Sequence, residues 1–400
     1  MPHHMFSPAA LSAKKAPFFA QYPLDTPIDA LAWLHEYPSL PRMYWKSRDA
    51  TLECAGIGIA EPHYNSIQQA QERLNSLPYP LRAFGGRSFS KNSDGWGEFG
   101  KTCFWIPQIL YVRDHEKHQL FHTILEKTTP ITPFIPPSIQ NPHPSFAHWK
   151  SVIDTVYSDF KEKTLEKIVL ARQLRLSIPH TPCNLLRNLQ HPSVSSFSFL
   201  FSPHGASTFL GSSPERLFSL HNRNIYSEAL AGTRPKGTNP QELLESEKDR
   251  REHHIVFEHI QNQLSPLCKS LQHNALPHIL SHNHVIHLHT KIQGQLKKDP
   301  NVAQLLDLLH PTPAVCGLPQ QRSLQRIQEL EGFDRGWYAG PVGWISADEA
   351  EFSVGIRSAL HRHDSYYIWA GAGIVQGSQA QEEWKEIESK SRQYLLLAQS

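Results

Sequence analysis

An α+β fold, with large antiparallel β-sheets and helices packed outside them, is the class this sequence predicts. Three observations predict it. Near the C-terminus long strand-like runs stand in neighbouring hairpins, GWYAGPVGWISA before EAEFSVGIRSALHR, and hairpin neighbours pair antiparallel. From Asp29 to about Arg113 short apolar runs alternate with turns, as in MYWKS, LECAGIGIA, LRAFGG and TCFWIPQILYV, with SIQQAQERLNSL as an occasional helix. Helical spacing elsewhere supplies covering elements, and 39% hydrophobic content across 400 residues is ample for a sizeable core.

Taken in order, Gly56 and Gly58 in the first third read as structural turn residues. Six prolines crowd the stretch from Thr128 to Pro144, a linker or crossing strap and the best boundary in the chain. It divides residues 1–145, an N-terminal β-rich part ending in that strap, from a catalytic region at 146–400. Phe146, Trp149, Ile153, Val156 and Phe160 keep helical spacing, and after a turn at Thr164 the strand-like KIVLARQLRLSI opens with Lys167. A strand and turn follow at FSFLFSPHGASTFLGSSPERLFSL, with Glu215 just beyond Pro214, and a third strand leads into SEALAGTRPKGT. The order of residues in that run excludes a phosphate loop. Gln241 to Leu264 reads as one amphipathic helix carrying Glu252, with Ile255, Val256, Ile260 and Leu264 on its apolar face.

The histidines of SHNHVIHLHT, namely His282, His284, His287 and His289, alternate on opposite strand faces in two pairs. They do not converge on one ion without a bulge, and 25 histidines in the chain make such clustering ordinary. After the helices VAQLLDLLH and SLQRIQELEGF and the paired strands, the stretch YYIWAGAGIVQGSQAQEEWKEIESK reads as an aromatic strand, a tight turn at Gly371 and Gly373, and a helix N-capped by Ser378. Glu382, Glu386 and Lys390 recur at i,i+4 spacing on one face beside those glycines. A surface ladder of glutamates and lysines has the same spacing, so this stretch by itself leaves both readings open.

A net charge of +2, with no long single-sign run, gives no nucleic-acid or membrane-surface footprint. Five scattered cysteines without a C-x-x-C pair fit a reducing compartment. No segment approaches the roughly 20 apolar residues of a membrane span, and the first thirty hold no apolar run of signal-peptide length. A cytoplasmic location is expected.

Four stretches together, EKIVLAR, GSSPERLF, LAGTRPKG and the terminal AGAGIV with EEWKEIESK, resemble the chorismate-utilising enzymes, and in detail their isochorismate synthases of menaquinone and siderophore pathways. The resemblance is strong from Ala147 to Ser400 and loose before it. It implies the fold of that family and a list of roles. Glu252 and Glu386 would bind one Mg2+, a hard cation often held by one or two carboxylates while it bridges to an anionic substrate. Tyr338 and Arg357 would take the enolpyruvyl carboxylate of chorismate, for which a guanidinium fork suits a planar anion. Gly232, Thr233, His287, Gly373 and Lys390 would complete the substrate site.

Lys167 matches the general base and Glu215 the general acid, so water would add at ring C2 while the C4 hydroxyl departs. Free lysine is neutral in roughly one molecule in 2,500 at pH 7, and free glutamate protonated in roughly one in 500. The resemblance therefore implies a site that drives both toward neutrality. Lys167 argues against anthranilate synthase, and Ala231 against aminodeoxychorismate synthase. Salicylate synthase, which adds pyruvate elimination, is the alternative; the loop LHPTPAVCGLP with His310 favours the single-step enzyme. Gly232 and Thr233 stand where some siderophore-pathway members read Gly-Ser. No obligatory amidotransferase partner is expected.

Overall fold

The computed structural model describes residues 17–125, 145–191, 195–282, 285–299 and 301–399. Their strands form two sheets of eleven and nine strands, and every ladder between named strands among the described residues is antiparallel. The proline-rich stretch lies outside the described residues, but the chain on both sides of it feeds both sheets. In the larger sheet Arg42–Lys46 pairs with Phe197–Ser202; in the smaller, Ala83–Arg87 pairs with Pro341–Ile345.

Strand alternation explains the two cores. In the larger sheet Trp45, Phe199, Phe201, Tyr367 and Trp369 point one way and join Phe104, Phe218, Phe352 and Trp344 of the smaller sheet in the main core. Their neighbours Tyr44, Leu200, Tyr366 and Ile368 point the other way, into a second core. Its cover comes from the helices Ala30–His35 and Pro182–Leu189, through Leu31, Leu34, Leu185 and Leu186. The helix Phe146–Lys161, N-capped by Ser145, meets the terminal helix Ala380–Leu397, where Trp149 Nε1 donates to the Ala380 carbonyl at 3.1 Å.

Three local expectations are corrected. Gly371 and Gly373 do not turn the chain: strand Ser365–Val375 runs through both, and the turn comes at Gly377, whose φ is +91°. Ser378 is not the N-cap. Gln379 holds that position, and the Ser378 hydroxyl instead accepts from the Val375 amide at 3.2 Å, closing the turn. The helix expected over Gln241–Leu264 is two, Pro240–Glu245 and Glu247–Leu264, because extended Ser246 (φ −64°, ψ 113°) caps the second through the Asp249 amide.

Candidate active site

Two chain crossings between the sheets build the site. Strand Ser207–Ser213 belongs to the larger sheet and Arg216–His221 to the smaller, so the chain changes sheet at Pro214 and Glu215. The return crossing runs from Glu349–Val354 to Ser358–Arg362 and carries Arg357. The crossings lie side by side, Gly211 opposite Ser358 in one sheet and Arg216 opposite Ser353 in the other. Each satisfies the other's backbone: Ser213 Oγ donates to the Val354 carbonyl at 2.7 Å, and Ser353 Oγ to the Glu215 carbonyl at 2.9 Å. Arg357 has a φ of +52°, a conformation costing on the order of 1 kcal/mol for a side-chain-bearing residue. The Tyr394 hydroxyl clamps it there by donating to its carbonyl at 2.8 Å.

Beside the crossings is a partly open cavity. Glu215, Thr233, Glu252, His287, Tyr338, Arg357, Gly373, Glu386 and Lys390 all line it, although they come from eight separate elements and loops. Lys167 lies in the cavity wall rather than on its surface, fully buried, with Nζ 2.9 Å from Glu252 Oε1. Gly232 is set back as well. It occupies the bulge between Ala231 and Thr233 with φ +73°, and a Cβ there would come 3.1 Å from that of Asp249, so it shapes the strand that presents Thr233.

Gly373 explains why the terminal strand needs glycine without a turn. A Cβ at that position would overlap Glu252 Oε1 and stand 3.2 Å from Lys167 Cε. Its absence lets the helix Glu247–Leu264 and strand Lys167–Leu176 bring the Lys167–Glu252 pair against the strand. Lys390 donates to Glu386 at 2.6 Å and to the Gly371 carbonyl at 2.7 Å. Glu382, expected on the same face, is instead 63% exposed and pairs with Lys385. Glu383 is the buried acid of that turn, accepting from Lys248 at 2.6 Å.

Electrostatics divides the carboxylates. Burial pushes Glu215 up to about 8; the Glu228 charge adds to this, and Lys167 and Lys390 oppose it. Burial also acts upward on Glu252, but the Lys167 ammonium more than offsets it and holds that carboxyl below its usual range. Burial lifts Glu383, and the neighbouring Glu386 charge lifts it further. Burial lowers the Arg357 guanidinium, against the pull of Glu386, and raises Tyr338 well above an ordinary phenol, so it stays a hydroxyl donor. Tyr338 is stacked on Trp369 with centroids 5.6 Å apart.

His287 Nδ1 lies 2.9 Å from Thr233 Oγ1, across the ladder that pairs the two residues. His289, two residues on and therefore on the same face, turns to Glu228 and His278; His284 lies outside the described residues. His310 is buried under Phe89, while Ala314 and Val315 of its loop reach the cavity. Sequence reasoning missed Glu228, Arg335, Trp369 and Glu383. A glutamate at the fifth position of the strand Asn224–Pro235, among buried residues, was a readable signal for the first.

The chain matches the family model described as "Chorismate binding enzyme" over residues 126–397. It is 38% identical to isochorismate synthase MenF of Bacillus subtilis over 87% of this chain and 86% of that one. It is 32% identical to the chloroplastic isochorismate synthase 2 of Arabidopsis thaliana, over 94% of this chain and 79% of that one. Among solved structures it resembles the menaquinone-specific isochorismate synthase MenF of Escherichia coli, with a TM-score of 0.84, 28% identity and 96% of each chain covered. A family model that spans every residue lining the cavity, and relatives that align along most of both chains, lead to one conclusion: the chain belongs to the chorismate-binding enzyme family.

Proposed function

We propose that the protein is an isochorismate synthase, converting chorismate to isochorismate by adding water at C2 and expelling the C4 hydroxyl. The observation that carries this reading is Glu215, a buried carboxyl in the cavity wall that keeps its proton up to about pH 8 and can therefore donate at neutral pH. Relatives bearing that name align along most of the chain.

Lys167 takes a proton from water, the resulting hydroxide bonds to C2, the ring double bonds shift, and Glu215 protonates the C4 oxygen as its bond to carbon breaks. One proton is taken and one given and the C4 oxygen leaves as water, so from a neutral lysine and a protonated glutamate the products are isochorismate, one water, a lysine ammonium and a glutamate carboxylate, and exchange with solvent resets both groups. Arg357 and the Tyr338 hydroxyl face the cavity as donors for the enolpyruvyl carboxylate. Thr233 and His287, bonded to each other, orient the ring. Lys390 stands at the ring end beside Gly371 and Gly373.

A magnesium ion fits the residues present. Glu252 and Glu386 both open onto the cavity and carry carboxylate oxygens toward it. Carboxylate oxygens are the donors a hard ion that keeps waters and binds through one or two carboxylates would take. Glu252 and Glu386 would hold the ion, which would supply positive charge for the substrate's ring carboxylate.

Water as nucleophile requires no ammonia-delivering partner. The five buried free thiols support action in a reducing compartment such as the cytoplasm, and no helix among the described residues is long and apolar enough to cross a membrane. The test is to incubate the protein with chorismate and magnesium, with and without chelator, and separate the products. One isomeric product that disappears with chelator is expected; salicylate with pyruvate, or amino products formed with ammonia, would replace this reading.

A further inference from the structure

The wall behind Glu215 contains a buried charge pair from two distant parts of the chain. Arg48 lies just past strand Arg42–Lys46, and Glu228 lies on strand Asn224–Pro235. The guanidinium grips the carboxylate with both Nη atoms, Nη2 at 2.7 Å from Oε2. Each partner also holds one side of Glu215: Arg48 Nη1 donates to the Pro214 carbonyl at 3.0 Å, and Glu228 Oε1 accepts from the Arg216 amide at 2.9 Å. The residues before and after the acid are thus fixed by the two members of one ion pair.

Glu228 is kept anionic. Burial alone would raise its carboxyl, but Arg48 and the His289 hydrogen bond pull it far below the usual range. Its Oε2 lies 2.9 Å from His289 Nε2, and His289 Nδ1 lies 2.9 Å from Nε2 of His278 at the exposed hairpin. A carboxylate only accepts, so His289 donates through Nε2. The other nearby charges are engaged elsewhere. Arg216 turns to Glu351 at 3.0 Å, Asp49 accepts from Ser47 and Thr51, and His253 faces Thr290 at 2.8 Å. Glu215 itself faces Glu228 on one side and the ammonium groups of Lys167 and Lys390 on the other.

We propose that Arg48 and Glu228 are positioning residues for the acid: the ion pair fixes the backbone on both sides of Glu215 and sets the Glu228 carboxylate against the same turn. The inference rests on the reading of Glu215 as general acid. It gives the N-terminal third of the chain a part in catalysis through Arg48, a residue that does not line the substrate cavity.

The experiment is an infrared pH titration of the Glu215 carboxyl in substrate-free protein, its band assigned by Glu215→Gln, together with kcat/KM profiles. In Glu228→Gln the Glu215 proton should be lost about one pH unit or more lower, and the alkaline limb should move with it. Glu228→Asp, which keeps the charge but shortens the grip, should leave the titration in place while kcat falls. Arg48→Met combined with Glu228→Gln leaves no unpaired buried charge and should shift the titration in the same direction as Glu228→Gln. An unmoved Glu215 titration in both Gln-bearing proteins, or equal shifts in the Asp and Gln variants, would overturn the proposal. Undiminished turnover in Glu215→Gln would overturn the acid role itself, a failure visible without touching Glu228.

Discussion

Two walls of one cavity treat the same side chain in opposite ways. On one wall Glu252 is paired with Lys167 and Glu386 with Lys390; on the other, Glu215 has the Glu228 carboxylate as its like-charged neighbour. Burial is common to Glu215 and Glu252 and pushes both upward. The nearest charge decides the outcome: an ammonium at 2.9 Å makes Glu252 an anion, and a like charge leaves Glu215 a proton donor. A single burial rule would have given both residues one role. Partners divide them into the proposed ligand wall and the proposed acid wall.

The largest effect expected from breaking this division is at Lys167. Lys167→Met should lower kcat by about 10²–10⁴-fold and, by leaving Glu252 buried without its partner, destabilise the fold by roughly 3–5 kcal/mol. Turnover and thermal melting measured on one preparation check both, and near-normal turnover would remove the base from the scheme.

A narrower probe of the ligand wall is Gly373→Ala. The added methyl would displace Glu252 Oε1 and crowd Lys167 Cε. A displacement near 1 Å costs on the order of 100-fold in rate, so kcat should fall by about that much while the melting temperature changes little. The smallest effect is expected at Tyr338→Phe, which removes one donor and keeps the stack on Trp369. Chorismate KM should rise about three- to tenfold, matching one hydrogen bond of about 1 kcal/mol, with kcat nearly unchanged.

The candidate site residues could be nominated before the structure because the motifs that carry the family resemblance are short runs with distinctive neighbours, and the structure gathers most of them around one cavity. Lys167 opens a strand, Glu215 follows a proline at a strand break, and Glu386 and Lys390 share a helix face. The antiparallel class was equally visible in the hairpin runs. What stayed hidden depends on distance or on ambiguity of residue type. Gly371 and Gly373 were expected to turn the chain, but glycine serves two needs, positive φ and close approach, and only the position of Glu252 reveals that Gly373 serves the second. Glu382 and Glu383 are adjacent acids in one helical turn, and Lys248 on another helix determines which is buried. Arg48 meets Glu228 across 180 residues of sequence, a pairing that no local pattern encodes.

The measurement that tests the central claim most directly is the pH dependence of chorismate turnover in the wild-type protein and in Glu215→Gln. A donor must carry its proton, so wild-type activity should decline as pH rises through about 8, where Glu215 ionises. The Gln variant should retain a residual rate, about 10²–10⁴-fold lower, without that alkaline decline. A variant that keeps the wild-type rate, or the same decline near pH 8, would contradict the account.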